Sequence, residues 1–315
     1  MTHLEQRLRK NRKLNKRSLT VFLNAGDPGL NTTIDLLKTC GESGVDVVEL
    51  GVPFANSFTD GATLIRSHER AIANEVTFER VIDMLTTHRA TFKSAIVLLV
   101  DFSYTVKSRG VAHVVEEAAK AGADGILMHG LPPLYVSEYI AQTEKHNIAP
   151  IFSLYPQTNE EKMAQTLVQA KGFIYLVSMY GRTGSAIDFL APNIRQFYHK
   201  VRQYTDVPLM AGFGVKNVED ITNIFTTSEL DGVIMGSQIA KIIEEFLQTN
   251  SAKNTEDNTK ENSEESAEEN GKSVAEHNFN ALVNAVESYV KALAQTKNIQ
   301  TDPAKIEELA HVHSA

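Results

Sequence analysis

The chain has 315 residues, of which 42% are hydrophobic, and this suits one large α/β domain or two ordinary ones. No apolar run approaches the roughly 20 residues that a membrane helix needs, and the basic, polar start of the chain is unlike a secretory signal. The single cysteine, Cys40, excludes an intrachain disulfide, so we expect a cytoplasmic protein. The net charge is −8, and many of the acidic residues lie in one segment, so the rest of the chain is closer to neutral. The charge therefore gives no reason to expect a nucleic-acid or membrane partner.

Short apolar runs follow one another along the chain, separated by amphipathic segments such as Thr32–Ser43, Val111–Ala121 and Glu160–Gln169. Most runs are continuous rather than alternating, as in strands that are buried on both faces. Eight strand–helix repeats in about 240 residues predict a single (β/α)8 TIM barrel, an α/β fold. A doubly wound open sheet is the alternative, although no GxGxxG follows the first run. The eight runs are Leu19–Asn24, Val45–Gly51, Ala95–Val100, Gly125–Met128, Ala149–Leu154, Phe173–Val177, Val207–Ala211 and Gly232–Met235.

Further elements are expected at both ends of the chain. Leu4–Leu14 predicts an extra N-terminal helix over the barrel floor. Thr249–Ser273 is acidic and lacks large apolar residues, so it predicts a disordered insert, either a solvated linker or an acidic docking segment. Val274–Leu293 regains helical spacing and predicts a terminal helix packed on the barrel. The predicted division is a barrel with its N-terminal helix over 1–248, the insert over 249–273, the terminal helix over 274–297 and a tail over 298–315.

The first candidate for chemistry is Glu49, which lies inside the apolar run Val45–Gly51. In a barrel, the carboxyl ends of the strands surround the active site. A glutamate in a buried strand is costly unless it is paired or used. Glu49 is therefore either half of a structural ion pair with a lysine or arginine in the barrel mouth, or a general acid or base whose proton is held tightly by burial.

The second candidate is Asp60, in the sequence FTDGA that follows the same strand. One interpretation is an N-cap for a helix over Ala62–Ala71. The other is a carboxylate that the loop aims at a ligand. Together, Glu49 and Asp60 predict acid–base catalysis at the mouth of the barrel.

Three glycine-rich stretches lie at Gly181–Ser185, Ala211–Val215 and Met235–Ser237. The second and third follow the last two apolar runs, where barrels commonly build a phosphate site from backbone N–H groups and the start of a helix. Each glycine alone could serve an ordinary loop. In this order, they predict a phosphate-bearing ligand.

Three aromatic residues, Phe22, Tyr175 and Phe213, are expected to line the barrel mouth. They are either simple core or a flat apolar slot for an aromatic substrate. The histidines and Cys40 show no metal-ligand pattern, so no metal site is expected.

Eight short motifs lie along the chain from about Leu19 to Phe246. They are AGDP at Ala25–Pro28, VELGVPF at Val48–Phe54, TDG at Thr59–Gly61, LPP at Leu131–Pro133, GFIYLVS at Gly172–Ser178, RTG at Arg182–Gly184, GFGV at Gly212–Val215 and DGVIMGS at Asp231–Ser237. As a set, these motifs make the sequence resemble the α chain of tryptophan synthase. The resemblance implies a TIM barrel that cleaves indole-3-glycerol phosphate to indole and glyceraldehyde 3-phosphate, a retro-aldol step in tryptophan biosynthesis that uses no cofactor.

The resemblance also implies roles for single residues. Glu49 and Asp60 fall on the catalytic pair, with Glu49 exchanging protons and Asp60 holding the indole N–H. Substrate-binding positions fall on Phe22, Tyr175, Thr183, Gly184, Phe213, Gly214, Gly236 and Ser237.

The sequence departs from the family pattern at Asn56, Ser57, Tyr104 and Gly130, where the resemblance implies contacts with a β chain. Three hypotheses follow. The chain is an α chain with a β-chain partner, a lyase that works alone or in a specialised pathway, or a non-catalytic regulator that binds a phosphorylated ligand and modulates a partner.

Overall fold

The computed structural model describes residues 1–177, 191–212, 214–257 and 267–305. Its described strands form one parallel sheet in the order β5-β4-β3-β2-β1-β9-β8-β7-β6. The strands are β1 Ser18–Asn24, β2 Val47–Gly51, β3 Ala95–Asp101, β4 Gly125–His129, β5 Ala149–Pro150, β6 Phe152–Leu154, β7 Ile174–Val177, β8 Leu209–Gly212 and β9 Gly232–Met235.

The sheet closes on itself through the fifth predicted strand. This strand is divided at Ile151 into β5, which pairs with β4, and β6, which pairs with β7. Pro150 has no N–H to donate to a ladder, in agreement with a break at this point. The N–H of Ile151 donates to the carbonyl of Ile126 at 3.0 Å and keeps the two halves in one wall. The predicted (β/α)8 barrel is confirmed, and the open-sheet alternative is wrong.

Helices surround the barrel on the outside. The segment Glu160–Gln169 is helical with the predicted bounds, whereas the helix predicted over Thr32–Ser43 runs over Leu30–Glu42. The helices are α1 His3–Lys13, α2 Leu30–Glu42, α3 Ala62–Ala73, α4 Phe78–His88, α5 Lys107–Arg109, α6 Val111–Lys120, α7 Val136–Lys145, α8 Glu160–Gln169, α9 Pro192–Tyr204, α10 Val218–Thr227, α11 Gln238–Asp257 and α12 Ala267–Ala294. Within the described ranges, no helix combines the length and apolarity needed to cross a membrane.

The barrel interior is an apolar cluster that α1 closes at the amino ends of the strands. Leu4 and Leu8 of α1 are fully buried in the same cluster as Val47 and Val97, so the predicted N-terminal helix is confirmed. Side chains on one face of a strand recur every second residue. Glu49 is therefore on the same face of β2 as Val47, one layer nearer the barrel mouth.

The C-terminal helix is also present. Leu282, Val286, Val290 and Leu293 of α12 are buried, and α12 packs on α2 and α11. The segment predicted to be disordered differs in part, because α11 continues to Asp257 and α12 begins at Ala267. A helix that has formed on an apolar face propagates into polar residues at little further cost. Residues 258–266 and 306–315 lie outside the described residues, and the division of the chain into barrel, insert and tail stays a prediction.

Candidate active site

Glu49 lies at the centre of β2, beside Phe22 of β1 and Val97 of β3 in the strand register. It is 2% exposed. Among the described residues, it has no ion-pair partner, and its Oε1 atom has no hydrogen-bond partner. Burial raises the pKa of Glu49 from 4.5 to about 8, because a carboxylate in this apolar layer loses its hydration. At neutral pH, Glu49 is therefore mostly a neutral acid that can donate a proton.

Tyr175 of β7 packs against the apolar cluster of the barrel interior that includes Val47 and Val97. A Cβ atom at Gly212 of the adjacent strand β8 would lie 2.3 Å from the Tyr175 ring, so the ring occupies the space that glycine leaves. The pKa of Tyr175 is raised well above its ordinary value, first by burial and then by the nearby negative charges of Glu49, Tyr155 and Asp60. Both candidate carboxylates, Glu49 and Asp60, are therefore near enough to Tyr175 to raise the pKa of its hydroxyl.

Phe22 is the register partner of Glu49 on the neighbouring strand β1. It is buried and packs with Leu64 of α3, Ala240 of α11 and Leu99 of β3. A Cβ atom at Gly51 would lie 2.8 Å from the Phe22 ring, so the ring lies close against the end of β2. The slot for a flat substrate stays a prediction. Phe213, the other predicted wall, lies outside the described residues.

Asp60 lies in the loop between β2 and α3. The N-cap of α3 is Gly61, so the N-cap interpretation of Asp60 is wrong. The Asp60 side chain is 15% exposed and accepts a hydrogen bond from the Ser57 hydroxyl at 2.7 Å. Its Oδ2 atom also lies 3.3 Å from Nε2 of His68.

His68 was not singled out from the sequence. It is buried on α3, and its ring packs against the Phe54 ring in a tilted arrangement, with the ring centroids 4.6 Å apart. The buried face of α3 has the spacing of an amphipathic helix and consists of Leu64, Ser67, His68 and Ala71. That spacing was a usable signal, because it places a histidine on the inner face of the helix that follows Asp60.

A polar cluster fastens α3 to the loop after β1. Arg70 donates two hydrogen bonds to the buried carboxylate of Asp27, at 2.7 and 2.8 Å, and the Ser67 hydroxyl donates to the same carboxylate. Asn24, at the end of β1, donates to Ser67 at 3.2 Å. The helix that carries His68 is therefore held in place by charge-assisted hydrogen bonds.

The predicted phosphate end lies where β8 and β9 finish side by side. Gly214 has a φ of +87°, which favours glycine. A Cβ atom at Gly236 would meet no described atom within 4 Å, so the backbone is open there. Ser237 immediately precedes α11, and its carbonyl accepts the N–H of Lys241 at 3.0 Å. Thr183 and Gly184, with Tyr180 and Arg182, lie outside the described residues.

The family model for the tryptophan synthase alpha chain matches residues 8–273. The chain belongs to the tryptophan synthase alpha chain family. A tryptophan synthase alpha chain from Methanoregula boonei is 37% identical over 235 residues, which cover 75% of this chain and 88% of the relative. One from Desulfosudis oleivorans is 36% identical over 233 residues, covering 73% and 85%.

Solved structures support this membership. The tryptophan synthase subunit alpha of Legionella pneumophila superposes with a TM-score of 0.74 at 25% identity, covering 95% of this chain and 99% of that one. A chain of Mycobacterium tuberculosis tryptophan synthase has a TM-score of 0.76 at 22% identity, covering 94% and 98%, and shows the shared fold.

This member of the tryptophan synthase alpha chain family has an apolar rim around the loops after β2, β3 and β4. Phe58, Tyr104 and Leu134 are exposed, the first and last by more than four-fifths. Two ring contacts connect these loops, from Phe54 to Tyr104 at 5.4 Å and from Phe102 to Tyr135 at 5.1 Å. A groove of about 570 Å³ separates the 54–58 loop from α3. Exposed apolar patches of this kind mark contact surfaces.

Proposed function

We propose that the chain is a carbon–carbon lyase that cleaves indole-3-glycerol phosphate to indole and glyceraldehyde 3-phosphate, in tryptophan biosynthesis. The observation that carries this proposal is the buried, neutral acid Glu49, which lies near Tyr175, a phenol whose pKa is also raised by the charge of Asp60. Membership of the tryptophan synthase alpha chain family favours this activity over a lyase without a β chain and over a non-catalytic regulator.

Glu49 supplies both proton transfers in the proposed reaction. Its neutral carboxyl donates a proton to the ring carbon that carries the glycerol chain. The resulting carboxylate then accepts the proton of the adjacent hydroxyl, while the carbon–carbon bond breaks and the hydroxyl carbon becomes an aldehyde. Glu49 ends as it began, with one proton, so the step is balanced.

Asp60 stabilises the charge that the first transfer creates. Protonation of the ring carbon places positive charge on the indole nitrogen. A carboxylate that accepts the ring N–H stabilises this charge more strongly in the transition state than in the substrate, which accelerates the reaction. This role requires Asp60 to be ionised and correctly oriented.

The remaining positions bind and orient the substrate. Phe22 offers an apolar face to the indole, and the partly buried Tyr175 offers a neutral hydroxyl. Gly214, Gly236 and Ser237 lie where β8 and β9 end and α11 begins, a location that suits a phosphate. Thr183, Gly184 and Phe213 are proposed to complete the site. No cofactor is required by this chemistry.

We also propose that the apolar rim binds a tryptophan synthase β chain. Asn56 and Ser57 lie beside the rim and depart from the family pattern, as does Tyr104 on the rim. Nevertheless, Phe58, Tyr104 and Leu134 present apolar surface to a partner. The rim adjoins the loop that contains Asp60. Partner binding at this loop would therefore contact the catalytic machinery directly.

The test of the proposed reaction is the purified chain with indole-3-glycerol phosphate. We expect equal amounts of indole and glyceraldehyde 3-phosphate, measured by chromatography and by a coupled dehydrogenase assay. Absence of both products, with and without an added β chain, would exclude the proposed reaction.

A further inference from the structure

The surroundings of Asp60 show how its carboxylate is held. Two side-chain donors meet the same oxygen, Oδ2: the Ser57 hydroxyl at 2.7 Å and the His68 ring nitrogen Nε2 at 3.3 Å. Ser57 is in the same loop as Asp60, whereas His68 comes from α3. The carboxylate is therefore linked both to its own loop and to helix α3.

The protonation pattern of His68 follows from its other neighbour. The backbone N–H of Phe54 points at Nδ1 of His68 at 3.3 Å, so Nδ1 must be an acceptor without a hydrogen. A neutral imidazole that is bare at Nδ1 carries its hydrogen on Nε2. That hydrogen is directed at Asp60, so one backbone group selects the tautomer that makes His68 a donor to the carboxylate.

His68 is also held rigidly. It is 4% exposed, and its ring lies against Phe54 at a centroid distance of 4.6 Å. Two residues further along α3, Arg70 is bound to Asp27 through two hydrogen bonds. A donor on a rigid helix restricts its acceptor more strongly than a donor on a loop does.

We propose that His68 is a positioning residue that orients Asp60 towards the indole nitrogen and maintains it as an anion. This inference rests on the proposed lyase function. A hydrogen bond to Oδ2 favours the ionised carboxylate and fixes the rotation of the carboxyl group. An apolar core residue at the same place on α3 would fill the space and would provide neither effect.

The first experiment reads the tautomer directly and does not depend on activity. The chain is labelled with ¹⁵N-histidine, and the His68 signals are assigned by their loss in His68→Gln. We expect a proton on Nε2 and a bare Nδ1 at neutral pH. A proton on Nδ1, or on both nitrogens, would overturn the inference, because Phe54 could then not donate to the ring.

The second experiment compares two variants of His68. His68→Leu fills the space without hydrogen bonds, and we expect kcat to fall about 10- to 100-fold as Asp60 loses its orientation. His68→Gln retains an N–H at about the reach of Nε2, and we expect it to restore most of kcat. The dissociation constant of glycerol 3-phosphate, which probes the phosphate end, should be the same in both variants and in the wild type.

The outcomes separate this inference from the proposed reaction. If the wild type does not cleave indole-3-glycerol phosphate, the reaction is wrong, and the tautomer experiment still judges whether His68 donates to Asp60. If the wild type is active and His68→Leu retains its kcat, only the role of His68 is wrong. If His68→Leu and His68→Gln lose kcat and glycerol 3-phosphate affinity equally, His68 is a core residue, and the inference also fails.

Discussion

The ring of Tyr175 on β7 occupies the volume that a side chain would need at Gly212 on β8, two residues beyond Met210, its register partner. An added Cβ atom would lie 2.3 Å from Cε2 and 2.6 Å from the hydroxyl oxygen of the ring. Glycine at position 212 leaves the space that one side of the Tyr175 ring fills. The position of the Tyr175 ring therefore depends on a neighbouring residue that has no side chain.

Gly212→Ala is expected to displace Tyr175 and to lower kcat/KM at least about 10-fold, with a loss of about 1–3 kcal/mol in unfolding free energy from overpacking. Steady-state kinetics and urea unfolding measure the two effects. The control is Gly29→Ala, since a Cβ atom there meets no described atom within 4 Å. Equal effects of the two substitutions would contradict the proposed contact.

Glu49→Gln is expected to lower kcat at least about 100-fold, because the amide cannot exchange a proton with the substrate. In the wild type, burial raises the pKa of Glu49 to about 8, so the proton-donating form is lost above that pH. We expect kcat/KM to fall as pH rises through about 8. A profile that stays flat to pH about 10 would show that another group donates the proton.

The raised pKa of Glu49 also makes the unfolding free energy of the chain depend on pH. The pKa of Glu49 is about 8 in the folded chain, against an ordinary value of 4.5, so between these values the folded state holds a proton that the unfolded state has released. The contribution of Glu49 to unfolding free energy is therefore complete below pH about 4.5 and is lost as pH rises through about 8.

Glutamine at position 49 has no titrating proton, so the unfolding free energy of Glu49→Gln relative to wild type should increase from pH about 5 to about 9, by a few kcal/mol at most. Urea unfolding at three pH values measures this difference. The exposed Glu138→Gln on α7 is the matched control and should show no such trend. A constant difference across the range would mean that Glu49 is ionised in the folded chain.

The sequence predicts the barrel and the position of Glu49 because both depend on local pattern. Continuous apolar runs define buried strands, and alternation along β2 places Glu49 above Val47 in the interior. The contact between Asp60 and His68 depends on the path of a loop, and the residues are eight positions apart with no fixed geometry between them. The break at Pro150 was missed because it depends on how the strand pairs with its two neighbours. The continuation of α11 to Asp257 was missed because a helix that has formed on apolar residues can extend into polar ones.

Arg70 and Asp27 form the ion pair that anchors α3. The Asp27 side chain is 1% exposed, so Arg70→Met leaves a buried carboxylate with only the Ser67 hydroxyl as a charge-neutral donor among the groups described above. We expect a loss of about 3–5 kcal/mol in unfolding free energy. Changing both partners, in Asp27→Asn with Arg70→Met, should cost less than Arg70→Met alone. Urea unfolding of the three variants tests this order, and a double variant that is less stable than Arg70→Met would contradict it.

Leu134 and Val168 form a matched pair for testing the apolar rim. They are 84% and 88% exposed, but Leu134 lies on the rim after β4 and Val168 lies on the outer helix α8. Because both are exposed, aspartate at either position should leave folding unchanged. Leu134→Asp is expected to weaken binding of a tryptophan synthase β chain at least about 10-fold, and Val168→Asp to leave it unchanged. Each variant is labelled and titrated with a tryptophan synthase β chain from the organism of one of the relatives named above, which measures its affinity. Equal affinities for the two variants would place the partner surface elsewhere.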